Sequence, residues 1–477
     1  MDLRETLQPA ALPRTGRRRT LAIGLVVAVL FAVSYLAMRS PRARQSGATV
    51  QLMVEAAQNA RTAYLASRSP VKLRPVDVER TVRAAIAAQR RLADRQRTPS
   101  ALRRLAILQH ALGDPGWRET LLRIPSAPRT DPVEATRELD LWRRVMEGPV
   151  RPRDVPALRE RVLALDLGWH RHLALEALHR NAGMDAEARQ AAGMAAASAR
   201  TLALLALVQA AAALAGLGVL AWFLAHRRRL FALAPRLRQP LSREKADALY
   251  SVFLAYLLGM AAQVGLSLLL RLCLPPATRQ GMGSAAILVS IPLALVPLVP
   301  AWLVFRRGQA RTGVTLADVG LRGRGALAGA AWGVGAYAAS QPVLLATLQL
   351  SQWLFRGLDT PTNPAITEFV RSSSALAHGV LFLQAVLIAP VVEEALFRGV
   401  FLQALLPRLG PAGSVLVSAG LFALLHPQLP TGFLGLFALG AIFGVVFLLR
   451  GSLVPCILAH AINNGLILAY LVLLLGG

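Results

Sequence analysis

Lysine is almost missing from this chain. It occurs only at Lys72 and Lys245, so nearly all the cations are arginine. Acidic residues are scarce too: 26 stand against 53 basic ones, for a formal net charge of +27. Cysteine appears twice, at Cys273 and Cys456, both in apolar runs, and residues 39–198 have none. That excludes a disulfide framework in this polar region and leaves both thiols as apolar filler. The positive charge does not point to nucleic acid, because the arginines cluster at the ends of apolar runs and in the one polar insert. With alanine so abundant, the preference for Arg over Lys fits a genomic base-composition bias. What the chain has in quantity is apolar residues, at 55%, with a mean hydropathy of +0.47. That excludes an ordinary soluble enzyme, since several runs reach the ~18–20 residues needed to cross a bilayer. The fold expected is all-α: a polytopic helical membrane protein.

Residues 1–19 read as a cytoplasmic tail ending in the basic "RTGRRR" (14–19). The run at 20–38 reads as a transmembrane signal anchor. Its apolar core exceeds the ~7–15 residues of a cleaved signal, and no A-x-A-like site follows. Residues 39–198 show helical periodicity broken by Pro and Gly clusters such as "EGPVRPRDVP", which predicts a bundle of helical hairpins with solvated charged faces. A second span covers 199–225. It ends in "HRRR" (226–229), which places that end in the cytoplasm and the insert outside. A cytoplasmic linker, 226–248, leads to a multi-span domain over 249–477. Its spans are expected near 249–274, 284–305, 326–348, 375–406, 411–427, 431–449 and 453–475. Arg236, Arg238, Arg243, Arg306, Arg307, Arg311, Arg322, Arg324, Arg408 and Arg450 mark the cytoplasmic ends. The alternation predicts about nine transmembrane helices, N-terminus inside, in a bacterial cytoplasmic (inner) membrane. The partners implied are the lipid bilayer and a ligand for the extracytoplasmic insert.

One short stretch breaks the apolar pattern: "APVVEEALFRGVF" (389–401). Beyond Leu249 the acidic residues are Asp318, Asp359, Glu368, Glu393 and Glu394, and only the last two fall inside an apolar run. A charge at bilayer depth costs at least ~2.5–3.5 kcal/mol on insertion scales, so an adjacent pair needs a reason. Glu394 and Arg398 are one helical turn apart and can pair on one face. Glu393 points about 100° away and has no local cation. Three histidines remain in this domain. His378 lies near the end of its span and reads as incidental. His426 lies in "LFALLHPQ", and His460 lies one helical turn before Asn464 in "CILAHAINNGL".

Depth decides whether these groups meet. The turn "PRLGP" (407–411) joins the helix of Glu393 to that of His426. With Leu409 and Gly410 as the centre, both residues lie roughly 24 Å from it by helical rise, so they should be level on antiparallel helices. His460 and Asn464 lie roughly 15–21 Å beyond Arg450 on another helix. With tilt, and a kink at Pro390, all four can share one layer. A carboxylate without a cationic partner in apolar surroundings is a general base toward water. Two imidazoles and a carboxamide can polarise a carbonyl and hold the oxyanion formed on attack. This chemistry is amide hydrolysis. Glu393, His426 and His460 could also ligate zinc. The HExxH motif is absent, however, and a water-activating glutamate needs no metal, so zinc is left open and no cofactor is certain.

Three motifs now stand in order: "EEALFR" (Glu393, Glu394, Arg398), "FALLH" (Phe422, His426) and "HAINN" (His460, Asn464). Together they resemble the CPBP (CAAX protease and bacteriocin-processing, or ABI) family of intramembrane endopeptidases, over roughly residues 310–475. The resemblance implies that Glu393 activates water with help from His426. It implies that His460 and Asn464 form the oxyanion site. Glu394 and Arg398 would organise the site, with Glu394 sharing in catalysis. The substrate implied is a peptide or protein, membrane-anchored or prenylated. The alternatives are a non-catalytic bacteriocin-immunity or peptide/lipid-binding scaffold, and a transporter with Glu393 as proton relay, which lacks the expected inverted repeat.

Overall fold

The computed structural model describes residues 41–69, 74–128, 131–273, 293, 295–321, 326–356, 358, 364–371 and 375–475. The expected tail at 1–19 and anchor at 20–38 lie outside these, as do residues 284–292 of one expected span. Among the described residues the chain is helical and has no strand. It divides into two compact units, one built on residues 45–208 and one on residues 209–466.

The first unit is a bundle of short helices: α1 (Pro41–Ser67), α2 (Pro75–Gln96), α3 (Pro99–Ala111), α4 (Trp117–Leu122), α5 (Pro132–Glu147), α6 (Val155–Leu163) and α7 (His170–Asn181). The prolines that punctuate the sequence open helices here, because a first-turn residue needs no N–H partner. Pro99 and Pro132 follow the N-caps Thr98 and Asp131, whose side chains accept from Ala101 N at 3.3 Å and Val133 N at 2.8 Å. Tyr64, Leu105, Ile107, Leu108 and Trp142 are buried at its centre. Two carboxylates are buried with them. Glu138 takes Nε and Nη2 of Arg103 and the indole N–H of Trp142, the last at 2.9 Å. Glu176 takes Arg68 at 2.6 Å, Arg180, and the Tyr64 hydroxyl at 3.3 Å.

The long helix α8 (Asp185–Leu233) runs on into the second unit. There it is joined by α9 (Pro235–Arg238), α10 (Arg243–Cys273), α11 (Leu298–Thr312), α12 (Ala326–Leu354), α13 (Pro364–Arg371) and α14 (Ala375–Leu383). A π-helical stretch (Gln384–Ile388), α15 (Ala389–Glu394) and a second π stretch (Ala395–Leu402) come next. They lead into α16 (Gln403–Leu424), α17 (Phe433–Arg450) and α18 (Val454–Leu475). Among the described residues, five segments are long and apolar enough to cross a membrane: Asp185–Arg238, Arg243–Ser267, Ala375–Leu424, Phe433–Arg450 and Val454–Leu475. The α12 segment, expected as a span, is a continuous helix but is not among the five, because its Gly, Ser and Gln residues dilute its hydropathy.

Ala375–Leu424 is folded back on itself. Gly410 sits at φ 66°, ψ −179°, which breaks the helix inside "PRLGP" and suits a residue without Cβ. The two arms pack antiparallel: Ser418 Oγ donates to Phe397 O at 3.1 Å, and the Phe397 and Phe422 rings lie 5.2 Å apart. Small residues bring the next helix close, as expected where lipid gives no hydrophobic drive for helix association. A Cβ on Gly440 of α17 would stand 2.9 Å from Ala419 Cα. The Phe253 ring of α10 stacks on Phe401 at 4.1 Å. The loop "LADVGL" (316–321) is tied down at one end. Asp318 accepts from Lys245 Nζ at 3.0 Å and Thr315 N at 2.9 Å, and Gln403 Nε2 donates to Asp318 O at 2.7 Å. Burial alone would raise the Asp318 pKa, but the bonds from Lys245 and Thr315 outweigh it and hold the carboxyl below its ordinary value.

Candidate active site

The site begins with what Pro390 does to its helix. Proline has no N–H, so the carbonyl that residue 390 would serve is left over. Just upstream the helix widens, and Ala389 N donates to Gln384 O, five residues back. The next carbonyl in that register, Ala385 O, would take its bond from Pro390. It takes one from Asn464 Nδ2 instead, at 2.9 Å. A side chain on α18 thus fills a hydrogen bond that the proline vacates on the helix carrying the glutamates. At the second π stretch another side chain joins the backbone: Gln403 Nε2 donates to Gly399 O at 2.7 Å. Two π segments flanking one short α segment are unusual, and such wide turns recur at functional sites.

α15 presents its two carboxylates in different directions. Glu394 is fully buried. Its Oε1 accepts from Arg398 Nη1 at 2.8 Å and lies 2.9 Å from His460 Nδ1. Arg398, also buried, lies between two aromatic faces, 4.6 Å from the Phe422 ring centre and 5.5 Å from that of Phe443. Its Nη2 donates to Gly440 O at 3.3 Å. Phe422 is therefore a floor shared by the guanidinium and by His426, whose ring centre is 4.5 Å away.

Glu393 is different: its side chain is 25% exposed, and its Oε2 is buried without a hydrogen-bond partner. Its Oε2 lies 3.8 Å from His426 Nε2 and 3.9 Å from His460 Nε2, too far for direct hydrogen bonds. The level pairing of Glu393 and His426 about Gly410 is what the hairpin requires. The other nitrogen of each ring is already engaged. His426 Nδ1 is 2.7 Å from Phe422 O, and His460 Nδ1 faces the Glu394 carboxylate. Both partners are acceptors, so each Nδ1 must carry a proton. In the neutral rings Nε2 is then a lone pair, and three acceptors (Glu393 Oε2, His426 Nε2, His460 Nε2) converge on one point. Such a point attracts a molecule with protons to give, of which water is the simplest.

As zinc ligands these groups fit poorly. Their separations exceed the roughly 3.4 Å between neighbouring ligands of a tetrahedral ion with ~2.1 Å bonds. Among the described residues no group of three His, Cys, Asp or Glu side chains is arranged to hold a metal.

The structure thus brings Glu393, His426 and His460 together, with Glu394, Arg398 and Phe422 packed behind them. Asn464 stands on the same helix face as His460, but one of its amide hydrogens is committed to Ala385. His378 lies apart, with Nε2 on Phe369 O at 3.0 Å. Sequence reasoning missed Tyr256 of α10, whose phenol lies close enough to Glu393 to interact with it electrostatically. No periodicity links positions so distant in the chain. The role of Asn464 left only a partial trace in the sequence: Pro390 implies an orphaned carbonyl one turn upstream, and the π register moves it from Val386 to Ala385.

No curated protein and no solved structure matches the chain. Residues 375–466 match the family model "Type II CAAX prenyl endopeptidase Rce1-like", in line with the CPBP resemblance, and this stretch carries Glu393, Glu394, Arg398, Phe422, His426, His460 and Asn464.

Proposed function

We propose that the protein is an intramembrane endopeptidase that hydrolyses a peptide bond with water activated by Glu393. The observation that carries this reading is the convergence of Glu393 Oε2, His426 Nε2 and His460 Nε2, drawn from separate helices, within 3.9 Å. Water held there donates one hydrogen to Glu393 and one to an imidazole. Glu393 accepts the proton as the water oxygen attacks the peptide carbonyl carbon. The carbonyl π electrons move to oxygen, and the resulting oxyanion takes a hydrogen bond from His460. To donate from Nε2, His460 must hold a second proton, and Glu394 at its Nδ1 faces that charge. The C–N bond then breaks, and the proton on Glu393 passes to the departing amine, with His426 Nε2 as relay. Glu394 and Arg398 are positioning residues in this scheme. Asn464 fixes the π segment and has one amide hydrogen left for substrate.

The substrate class is a peptide presented at the membrane, in keeping with a domain of the CAAX prenyl endopeptidase type. The same reading puts residues 39–198 outside the cytoplasm, with about nine spans in all. Single cysteines introduced into the insert should react with impermeant maleimide in intact cells.

The decisive experiment measures cleavage of fluorogenic peptides, prenylated and unprenylated, by purified protein in liposomes. Glu393→Gln should abolish turnover while the thermal unfolding midpoint stays within a few degrees. Equal turnover by the variant would end the peptidase reading. No step is routed through a metal, so activity should survive exhaustive chelation. Loss of activity reversed by zinc would turn Glu393, His426 and His460 into ligands.

A further inference from the structure

The second unit holds another cavity, and none of its lining residues belongs to the Glu393 site. It has a volume of about 470 Å³, lies between α8, α12 and α17, and every residue lining it is apolar. Along α17 it extends from Ala441 to Leu449, roughly 12 Å by helical rise. At the Leu449 end the character changes. The His226 ring stacks on Trp222 at 5.2 Å, Trp222 meets Trp332 edge-on at 6.3 Å, and the Arg450 guanidinium lies 5.2 Å over the Trp332 ring. Arg227, Arg228 and Arg229 follow His226 on α8 and are exposed. The described carboxylates that form ion pairs in this unit pair with Lys245, Arg398 or Arg408, or face His426 and His460. Among the described residues none pairs with Arg450.

An apolar slot of this length, with a cation lying over one of its lining indoles, matches a molecule with a hydrocarbon chain and an anionic head. We propose that the slot binds one acyl chain of an anionic phospholipid, with the phosphate facing Arg450. The tryptophans suit the boundary between chain and headgroup, where an apolar ring with a polar edge is favoured. The cation gives the site its choice of headgroup, because basic pockets between helices select anionic lipids. A neutral isoprenoid chain would leave Arg450 without a counter-charge. α8 and α12 lie outside residues 375–466, so the slot is built largely by parts of this chain that the matched domain does not include.

Native mass spectrometry of the full-length protein in detergent tests this without any assay of peptide cleavage. The probes are phosphatidylglycerol and phosphatidylcholine with identical acyl chains, and a farnesylated peptide as competitor. Phosphatidylglycerol should be retained roughly fivefold better, the advantage expected of one cation near a headgroup. Arg450→Gln should bring that ratio close to one. Gly335→Leu should lower retention of both lipids, since Gly335 lines the slot, a Cβ there meets nothing within 4 Å, and a longer side chain takes up slot volume. Equal retention of the two lipids by the unaltered protein overturns the proposal, whatever the variants do. So does an unchanged ratio in Arg450→Gln, unchanged retention in Gly335→Leu, or displacement of the lipid by the farnesylated peptide.

Discussion

Both units bury carboxylates, and they treat them differently. In the helical insert, Glu138 and Glu176 are each surrounded by donors: guanidinium groups plus an indole N–H or a phenol. In the second unit Glu394 is held likewise through its Oε1, by Arg398 and His460, although its Oε2 is buried without a partner. Its neighbour Glu393 is not. The nearest ring nitrogens stop at 3.8 and 3.9 Å, and both are acceptors in the neutral rings. A buried carboxylate with a cation in direct contact is structure, because its charge is already balanced by that partner. A charge held in an enclosed site with its bonds unmade is costly, and the surrounding helices tolerate that cost only if something else is to bind. In the proposed function this difference between adjacent residues separates a strut from a reagent.

The sharpest way to break this comparison is to neutralise one carboxylate of each kind. Glu393→Gln should reduce kcat by at least about a thousandfold with little change in unfolding temperature. Glu138→Gln should leave kcat alone and destabilise the insert by about 3 kcal/mol, read by chemical denaturation, because Arg103 loses its counter-charge. Next in size is Arg398→Met. It strands Glu394 in the core, and stability should fall by about 3–5 kcal/mol together with activity. Adding Glu394→Gln should recover most of the stability and little of the activity, since His460 still lacks its carboxylate.

A smaller effect is expected at Asn464. Asn464→Ala leaves the Ala385 carbonyl without a donor, at a cost of about 1–3 kcal/mol, and kcat should fall as Glu393 shifts. Pro390→Ala in that background returns a backbone N–H to the helix. Partial recovery of stability would support the proline account, and no recovery would remove it. The smallest effect concerns pH. His170 is buried in the insert, and desolvation, helped by Arg104 and Arg61, drives its pKa well below the ordinary 6.5. The unfolded chain therefore binds the extra proton more readily. Stability is full above about pH 6.5 and declines as the pH falls toward the folded-state pKa. His170→Phe should flatten that decline in thermal scans of the full chain between pH 7 and pH 5.

Much of the site could be read from residue spacing, for definite reasons. Helical rise and one turn, "PRLGP", set Glu393 level with His426, and the bend at Gly410 provides that geometry. The Glu394–Arg398 pair followed from 3.6 residues per turn. Spacing could not say which nitrogen of each ring faces Glu393. That depends on what lies behind the ring: Phe422 O for one, Glu394 for the other. The expectation that Asn464 would serve the oxyanion came from its shared face with His460. That face is real, but the amide is partly engaged by a carbonyl seventy-nine positions earlier in the chain. Tyr256 and the apolar slot under Arg450 had no sequence signal, because each needs helices that no local rule brings together.

The sequence by itself determined that this chain is helical, apolar enough for a membrane, and furnished with a glutamate that has no cation of its own. Those properties rest on composition and period, which act over a few residues. Only the tertiary structure decided that both imidazoles turn Nε2 toward the glutamate, that an asparagine replaces the bond a proline cannot make, and that an arginine lies over a tryptophan lining an apolar slot. Hydrogen-bond polarity depends on which atoms become neighbours, and in a helical membrane domain packing between distant spans chooses the neighbours.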